Sequence, residues 1–314
     1  MFSKRLPLII AAVGLIAIAS LFAWNYFQNK ITPRTVLSLT PENLAALSLP
    51  SEANILNQTD PGNAGDIYAT ATTAFPVARI DCEKFASDPT SEAPKIISQI
   101  LSAQHKSCSA IFASHPGSII NYDSDRAVLD NLEELGKTID RAGLTLRLRK
   151  QPDQAKNYFL SVYALGQGLY RERLVYDEYL KGMGLMNESA QGLSELEPAD
   201  SPRARDLLQQ STARLDYDTA HVRPIYTILS SIDPQVIAAN AGDVFAFATE
   251  SRERMFRIEA ILKLGRYCFD AARSADQLAA PSTLQKLTSD PDPTIQAAAQ
   301  AALNLTLEQY RTIH

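Results

Sequence analysis

The chain of 314 residues has few of the side chains that build disulfide frameworks and metal centres, since it contains three cysteines and four histidines. Three cysteines are too few for a disulfide scaffold. The histidines lie far apart, and the sequence has neither a His-Glu-x-x-His motif nor a Cys-x-x-Cys pair. We therefore expect no zinc site, and no other metal or cofactor is indicated.

The motifs of common enzyme classes are also missing. There is no G-x-S-x-G nucleophile elbow, no G-x-x-x-x-G-K-[ST] phosphate loop and no G-x-G-x-x-G motif after a strand. The two glycines Gly166 and Gly168 lie within a helical pattern, where they favour close packing. The sequence therefore predicts no catalytic residue.

A surplus of positive charge is absent as well. Lys and Arg total 30 against 35 Asp and Glu, which gives a net charge of -5. Nucleic-acid binders need clustered cations for their phosphate contacts, so this balance argues against a nucleic-acid partner. The short cluster from Arg147 to Lys150 ends a predicted helix, where cations suit the carbonyl end of the helix dipole.

One long uncharged apolar run stands near the N-terminus, from Leu6 to Trp24. As a helix it would span about the 30 Å of the hydrocarbon core of a bilayer. Trp24, Tyr26 and Phe27 supply the aromatic belt expected where such a helix leaves the lipid. We predict a single-pass transmembrane anchor over residues 1–28, followed by a linker over residues 29–62 that is rich in Pro, Ser, Thr and Asn.

Two alternatives to a retained anchor stay open. Ala17-Ile18-Ala19 has the small-x-small pattern of a signal-peptidase site, although the apolar run continues beyond it. A buried globular helix is the other alternative. Positive charge flanks the run on both sides, but a short basic head before an apolar run is typical of exported chains. We therefore expect the bulk of the chain to be extracytoplasmic.

Apolar residues at three- and four-residue steps predict an array of helical hairpins over residues 63–197. The first helix begins near Asn63 and is expected to end at Pro76, and Pro94 opens the second. Short turns join the later helices, which makes them antiparallel neighbours. Four glycines in these helices predict close contacts between neighbours: Gly136, Gly143, Gly166 and Gly182. No strand is expected.

Part of this array resembles tetratricopeptide repeats. Leu135-Gly136 matches the Leu-Gly pair of the first repeat helix, and Ala155 with Phe159 matches the Ala and aromatic residue of the second. The resemblance covers about one hairpin. It implies stacked antiparallel helix pairs.

The segment 198–314 is predicted to be a second helical domain. It should contain a helix from Arg203 to about Tyr217, a helix that Pro224 interrupts or kinks, and one long helix from about Gly242 to Ala272. Its C-terminus resembles HEAT repeats, on the frame Ile295-Gln296, Ala299 and Leu303. The same frame recurs 39 residues upstream as Phe256-Arg257, Ala260 and Leu264-Gly265.

Two residues depart from the HEAT pattern. Gln296 stands where the family has Arg, and Ser251 stands where the upstream copy would have Asp. We therefore expect the Asp-to-Arg contacts between HEAT repeats to be absent.

A candidate interaction surface follows from residues of mixed charge and aromatic character on successive turns: Tyr170, Arg171, Arg173, Tyr176 and Tyr179. Cys82 and Cys108 are a candidate disulfide if the domain is exported, and two free thiols are the alternative.

Taken together, the sequence predicts an all-α fold, in which an N-terminal transmembrane helix precedes a solenoid-like array of antiparallel helix pairs. The expected function is a membrane-anchored, extracytoplasmic scaffold that binds a protein or peptide partner and catalyses no reaction. A helical-toroid carbohydrate-active enzyme using Glu172, Asp177 or His221 is the alternative. A structural spacer is a third hypothesis.

The predicted topology is testable by thiol labelling. A membrane-impermeant maleimide should label a cysteine engineered onto the surface of segment 198–314 in intact cells, because that segment is expected outside. The unmodified chain controls for the native thiols. Labelling that appears only after lysis would reverse the orientation.

Overall fold

A computed structural model describes residues 55–114, 116–120, 127–198, 201–269 and 278–313. The predicted anchor, Leu6 to Trp24, and most of the linker lie outside these residues. Within the described part, no helix combines the length and the apolar character that a membrane crossing requires. The described chain is all-α apart from one short strand pairing, as the sequence predicts for the fold class.

Twelve α-helices are present in the described residues. They are α1 (Ala64–Ser87), α2 (Lys95–Ala103), α3 (Ala127–Leu148), α4 (Pro152–Glu172), α5 (Tyr176–Ser194), α6 (Pro202–Tyr217), α7 (Arg223–Ser230), α8 (Pro234–Glu250), α9 (Arg254–Tyr267), α10 (Ala280–Leu287), α11 (Pro293–Leu303) and α12 (Leu307–Ile313). A 3-10 turn (Pro116–Ser118) precedes α3, and a π-helical turn (Asp218–Val222) joins α6 to α7.

The two strands, β1 (Asp60–Asn63) and β2 (Lys106–Ser107), pair in parallel and were not predicted. The backbone N–H of Asp60 donates to the carbonyl oxygen of His105 at 2.9 Å. Asn63 then caps α1, because its side-chain oxygen accepts from the N–H of Gly65 at 3.1 Å and from that of Ser109 at 3.0 Å. The pairing fastens the segment after α2 to the start of α1.

Consecutive helices of the middle region pack as the hairpin prediction requires. Helix α4 packs on both α3 and α5, and α5 packs on α6. The turns between α3, α4 and α5 are short, and each contains one non-glycine residue with positive φ, Lys150 at 60° and Arg173 at 33°. Their buried stripe includes Leu132, Ile139 and Leu146, with the three- and four-residue spacing read from the sequence.

The prediction that the first helix ends at Pro76 is wrong, since α1 continues through Pro76 to Ser87. A proline inside a helix leaves the carbonyl four residues earlier without its usual donor. That carbonyl belongs to Thr72, and the side-chain amide of Asn131 on α3 donates to it at 3.0 Å. A tertiary contact therefore supplies the hydrogen bond that the proline removes.

The prediction of one long helix from about Gly242 is also wrong, because the helix is interrupted between α8 and α9. Ser251 has an extended backbone, with φ -60° and ψ 137°, and its hydroxyl accepts from the N–H of Glu253 at 3.2 Å. Such local hydroxyl contacts compete with helix continuation. The break turns the residues that follow it away from the axis of α8.

The C-terminal helices do not extend the array in one direction. Helix α9 packs on α8 and α11, but it also contacts α5 and α7, and α11 contacts the 3-10 turn before α3. One hydrophobic cluster accordingly includes residues from Ala64 to Ala302. Helices α9 and α11, which we call the C-terminal pair, thus lie against the hairpin of α4 and α5. The end of α4 meets the starts of α9 and α11.

All four glycines for which the sequence predicts close contacts between helices lie at such contacts. A Cβ atom on Gly136 would lie 2.7 Å from Leu185, and one on Gly143 would lie 2.9 Å from the ring of Phe159. Between α4 and α5 the contact is backbone to backbone: a Cβ on Gly166 would lie 2.8 Å from the carbonyl oxygen of Gly182. The two helices can approach this closely only without side chains at the crossing.

Alanine at two glycines of α5 should have opposite effects on stability. Gly182→Ala places a Cβ 2.5 Å from the backbone nitrogen of Tyr170, so we expect a loss of about 1–3 kcal/mol from overpacking. Gly184→Ala meets nothing within 4 Å and should gain up to about 1 kcal/mol from helix propensity. Urea unfolding of both variants measures the difference. Equal effects would contradict the tight crossing.

Candidate functional site: an arginine-lined pocket

The most distinctive feature of the described surface is a pocket of about 300 Å³. It lies where the end of α4, the α8–α9 turn and the starts of α9 and α11 come together. Its lining, which we call the arginine pocket, holds five arginines: Arg171, Arg173, Arg252, Arg254 and Arg257. Three carboxylates and one apolar side chain complete it: Glu172, Glu253, Asp292 and Ile295.

Ion pairs connect the elements around the pocket. They join Arg173 Nε to Glu253 Oε2 at 3.1 Å, Arg254 Nε to Asp292 Oδ2 at 2.9 Å, and Arg257 Nη2 to Asp290 Oδ2 at 2.5 Å. Burial opposes the charge of Asp292, but hydrogen bonds from Thr294 and the charge of Arg254 hold the pKa of Asp292 below its ordinary value. Each pair spans two different elements of the fold.

The expectation that Asp-to-Arg contacts are absent between the two HEAT-like frames is wrong. Arg257 belongs to the upstream frame on α9, and its partner Asp290 directly precedes α11, which carries the downstream frame. Gln296 does not replace the missing Arg in that role, because its amide donates to the backbone oxygen of Asp290 at 2.5 Å. An Arg-to-Asp contact therefore joins α9 to the turn before α11, with the arginine on the upstream frame and the aspartate on the downstream one.

Arg173 ends α4 in the left-handed region, at φ 33° and ψ 62°. This conformation normally favours glycine and costs an arginine about 1 kcal/mol or more. The side chain folds back over the helix end, and its Nη1 donates to the carbonyl oxygens of Tyr170 at 3.2 Å and Arg171 at 3.0 Å. A cation is thereby fixed at the carbonyl end of the helix, facing the pocket.

Glu172 holds one wall of the pocket in place. Its buried carboxylate accepts backbone N–H bonds from Ile111 at 2.8 Å, Phe112 at 2.9 Å and Ala113 at 2.6 Å. Three consecutive donors converge on one anion, which satisfies backbone groups that the loop would otherwise bury unpaired. The carboxylate therefore fastens residues 109–114 to the end of α4.

Glu178 lies behind Glu172 and is fully buried on α5. Burial first, and then the neighbouring charge of Glu172, raise the pKa of Glu178 well above its ordinary value. Its Oε2 accepts from the N–H of Leu174 at 2.6 Å. Its protonated form is thus favoured beside the carboxylate of Glu172.

The tyrosines of the sequence-predicted surface are not exposed. Tyr170, Tyr176 and Tyr179 retain 1%, 5% and 0% of their accessible surface. Tyr170 and Tyr179 pack against each other with ring centres 5.4 Å apart, because α4 and α5 meet on this face. Of the five predicted residues, only Arg171 and Arg173 reach the arginine pocket.

Cys82 and Cys108 form no disulfide in the structure. Cys82 is buried on α1, and Cys108 follows β2. Burial and the charge of Glu172 raise the pKa of Cys108 to about 12, which keeps its thiol protonated. In the described residues, no group of three or more His, Cys, Asp or Glu side chains is placed to hold a metal ion.

The side chains named for a carbohydrate enzyme do not converge. His221 is exposed and its ring lies 4.9 Å from that of Tyr217, whereas Asp177 pairs with Lys181 at 3.4 Å. Glu172 lines the pocket alone of the three. Its carboxylate is already the acceptor of the three backbone donors described above.

Sequence reasoning missed the part of the site that follows α8. The long helix predicted from the sequence includes this part, and on such a helix these side chains would project in different directions: Arg252, Glu253, Arg254 and Arg257. The serine before them was the available signal, since Ser, Asp and Asn side chains favour helix boundaries.

Comparison with protein-family models, with curated proteins and with solved structures gives no significant match.

Two isosteric substitutions separate the roles of the carboxyl groups of Glu172 and Glu178. Glu172→Gln replaces an acceptor with an amide donor and should cost about 1–3 kcal/mol, because backbone N–H groups lose their partner. Glu178→Gln keeps a neutral donor in place and should cost less than about 1 kcal/mol at neutral pH. Urea unfolding of the full-length chain in detergent measures both.

The pH dependence gives a second readout. A carboxyl group with a raised native pKa adds stability below that pKa, and this contribution is lost as the pH rises through it. Wild type should therefore lose stability as the pH rises through the native pKa of Glu178, and Glu178→Gln should lack that part of the loss. A parallel profile for the two proteins would contradict a neutral Glu178.

Proposed function

We propose that the chain is a membrane-anchored, extracytoplasmic helical scaffold, which captures an anionic group of a protein or peptide partner in the arginine pocket and catalyses no reaction. The observation that carries the proposal is the convergence of five arginines from separate elements on one concave site. Arginine is the side chain best suited to hold carboxylate or phosphate groups, because its planar fork donates two parallel hydrogen bonds.

The charge distribution supports capture of an anion. The whole chain carries a net charge of -5, yet the pocket lining holds five arginines against three carboxylates. A local reversal of sign inside a concavity concentrates the field and raises the encounter rate with an acidic ligand. We therefore expect an acidic partner segment to be attracted to this site.

The arrangement of the C-terminal helices supports a repeat-type scaffold. Phe256 and Ile295 occupy equivalent positions of the two HEAT-like frames, and both are buried where α9 packs on α11. Helical-repeat proteins commonly use the concave faces of such stacked pairs for binding. This support is an analogy at the level of fold and carries less weight than the pocket itself.

Binding fits the pocket better than glycoside hydrolysis. Hydrolysis needs one carboxylic acid and one carboxylate that both face the sugar. Here Glu253 pairs with Arg173, Asp292 pairs with Arg254, and Glu172 accepts backbone donors. The spacer hypothesis gives no reason for an arginine-lined concavity.

A charge reversal at the pocket should abolish partner capture. Arg252 is exposed and lines the pocket, so Arg252→Glu changes its charge without removing core packing. We expect affinity purification of the detergent-solubilised protein, followed by quantitative mass spectrometry, to recover a partner at about tenfold lower yield from this variant, or roughly 1.4 kcal/mol.

Arg205→Glu is the matched control, because Arg205 is an exposed arginine on α6 that does not line the pocket. The control should recover the partner at the wild-type yield. Reversing an acidic residue of the partner to Lys should restore capture by Arg252→Glu. Equal recovery by all three proteins, or recovery of nothing but the protein itself, would overturn the proposal.

A further inference from the structure

We infer that the group taken by the arginine pocket is a phosphate monoester dianion in preference to a carboxylate. This inference rests on the proposed function and specifies the chemistry of the group that is captured. The phosphate is carried by a modified side chain of the partner. A small soluble ester presents the same terminal group and is the alternative source that the probes below distinguish.

The carboxylates already in the pocket set the threshold for a ligand. Glu253 occupies Arg173, and Asp292 occupies Arg254. A ligand carboxylate that displaced one of them would exchange one singly charged acceptor for another and gain little. A dianion adds a second charge, so it can attract several guanidinium groups without breaking every existing pair.

The placement of the arginines favours a tetrahedral group over a planar one. Arg171 and Arg173 reach the pocket from the end of α4, whereas Arg252 reaches it from the α8–α9 turn and Arg254 from the start of α9. A carboxylate presents two oxygens in one plane, but a phosphate monoester presents three oxygens in different directions. The second shape offers more acceptor directions to donors that come from different sides.

The start of α9 adds partial positive charge at the same place. Glu253 is the N-cap of this 14-residue helix, but its side chain makes no capping hydrogen bond. The first backbone N–H groups of α9 are therefore not capped by Glu253, and the helix dipole favours negative charge beside them. Phosphate groups commonly bind at such termini when cationic side chains also converge there.

The size and polarity of the pocket agree with a phosphate and a short part of its carrier. A volume of about 300 Å³ lies at the lower end for ligand pockets, and Ile295 is the apolar side chain in the lining. A large apolar ligand would find little surface to bury. A phosphorylated side chain or a small phosphate ester matches both properties.

Calorimetric titration of the full-length chain in detergent tests the inference. The probes are a phosphoserine residue flanked by glycines in a capped pentapeptide, and the same peptide with Glu in place of phosphoserine. We expect the phosphopeptide to bind at least about tenfold more tightly, since the dianion engages more donors. Equal affinity for the two peptides would overturn the inference.

Three substitutions separate ligand binding from a change in the fold. Arg252→Gln should weaken phosphopeptide binding about tenfold, and the matched control Arg205→Gln should leave it unchanged. Glu253→Gln should strengthen it severalfold, because it removes a competing carboxylate from Arg173. Circular dichroism checks that each variant stays helical. A purely structural role for these residues predicts no gain in affinity from Glu253→Gln.

The pH provides an independent arm. A phosphate monoester acquires its second charge near pH 6, so binding should tighten between pH 5.5 and 7.5. Inorganic sulfate keeps its charge in that range, and it controls for the ionisable groups of the lining, namely Glu172, Glu253 and Asp292. If sulfate tightened to the same extent, the change would belong to the protein and the inference would fall.

The source of the phosphate follows from one further probe. Glycerol 3-phosphate that binds as tightly as the phosphopeptide indicates a small soluble ester, and weaker binding indicates a phosphorylated side chain. Both results support the phosphate preference. Suppose that Arg252→Glu fails to capture the partner and that the wild-type chain shows no preference for phosphate. This result would refute the inference and leave the proposed function standing. Capture that survives Arg252→Glu would refute the proposed function.

Discussion

The backbone contact between α4 and α5 is the constraint on which the rest of the structure depends. Gly166 and Gly182 let the two helices approach until a single added Cβ would strike a backbone atom. This crossing holds α4 against α5, and the turn between the two helices carries Arg173. The positions of Glu172 and Glu178, and with them one wall of the arginine pocket, follow from the same crossing.

The sequence predicted the helices well where periodicity and punctuation agree. The stripe along α3 appears as expected, and a π-helical turn interrupts the regular helix just before Pro224, the second residue of α7. The error at Pro76 arose because a tertiary contact overrode a local signal. Pro76 does not end α1, because Asn131 lies far away in the sequence and still supplies the missing donor. No local pattern around Pro76 contains that information.

The site was predicted only in part, for two physical reasons. Arg171 and Arg173 were chosen for their charge, but the tyrosines beside them serve the core, since an aromatic residue at helical spacing suits a buried stripe as well as an exposed one. Arg252 and Arg254 were missed because the predicted helix is interrupted at Ser251. The pocket forms only when the C-terminal pair packs back on α5, and this long-range contact leaves no periodic trace in the sequence.

The pocket also separates two uses of charge within one region. Glu172 and Glu178 stabilise the fold. The carboxylate of Glu172 accepts backbone hydrogen bonds, and Glu178 is fully buried. The arginines instead hold partners that a stronger anion can replace, so they remain available to a ligand. This difference explains why carboxyl groups near a concave site do not by themselves indicate catalysis.

The parallel pairing of β1 with β2 gives the domain a defined point of mechanical attachment. Tension that arrives along the chain from before Asp60 is borne first by the hydrogen bond to His105 and by the contacts of Asn63 with Gly65 and Ser109. Residues 109–114 come next in the load path, and Glu172 holds them at the rim of the arginine pocket. A pull on the leading end of the domain therefore acts both on α1, which follows Asn63 directly, and on the loop that Glu172 holds beside the arginine pocket.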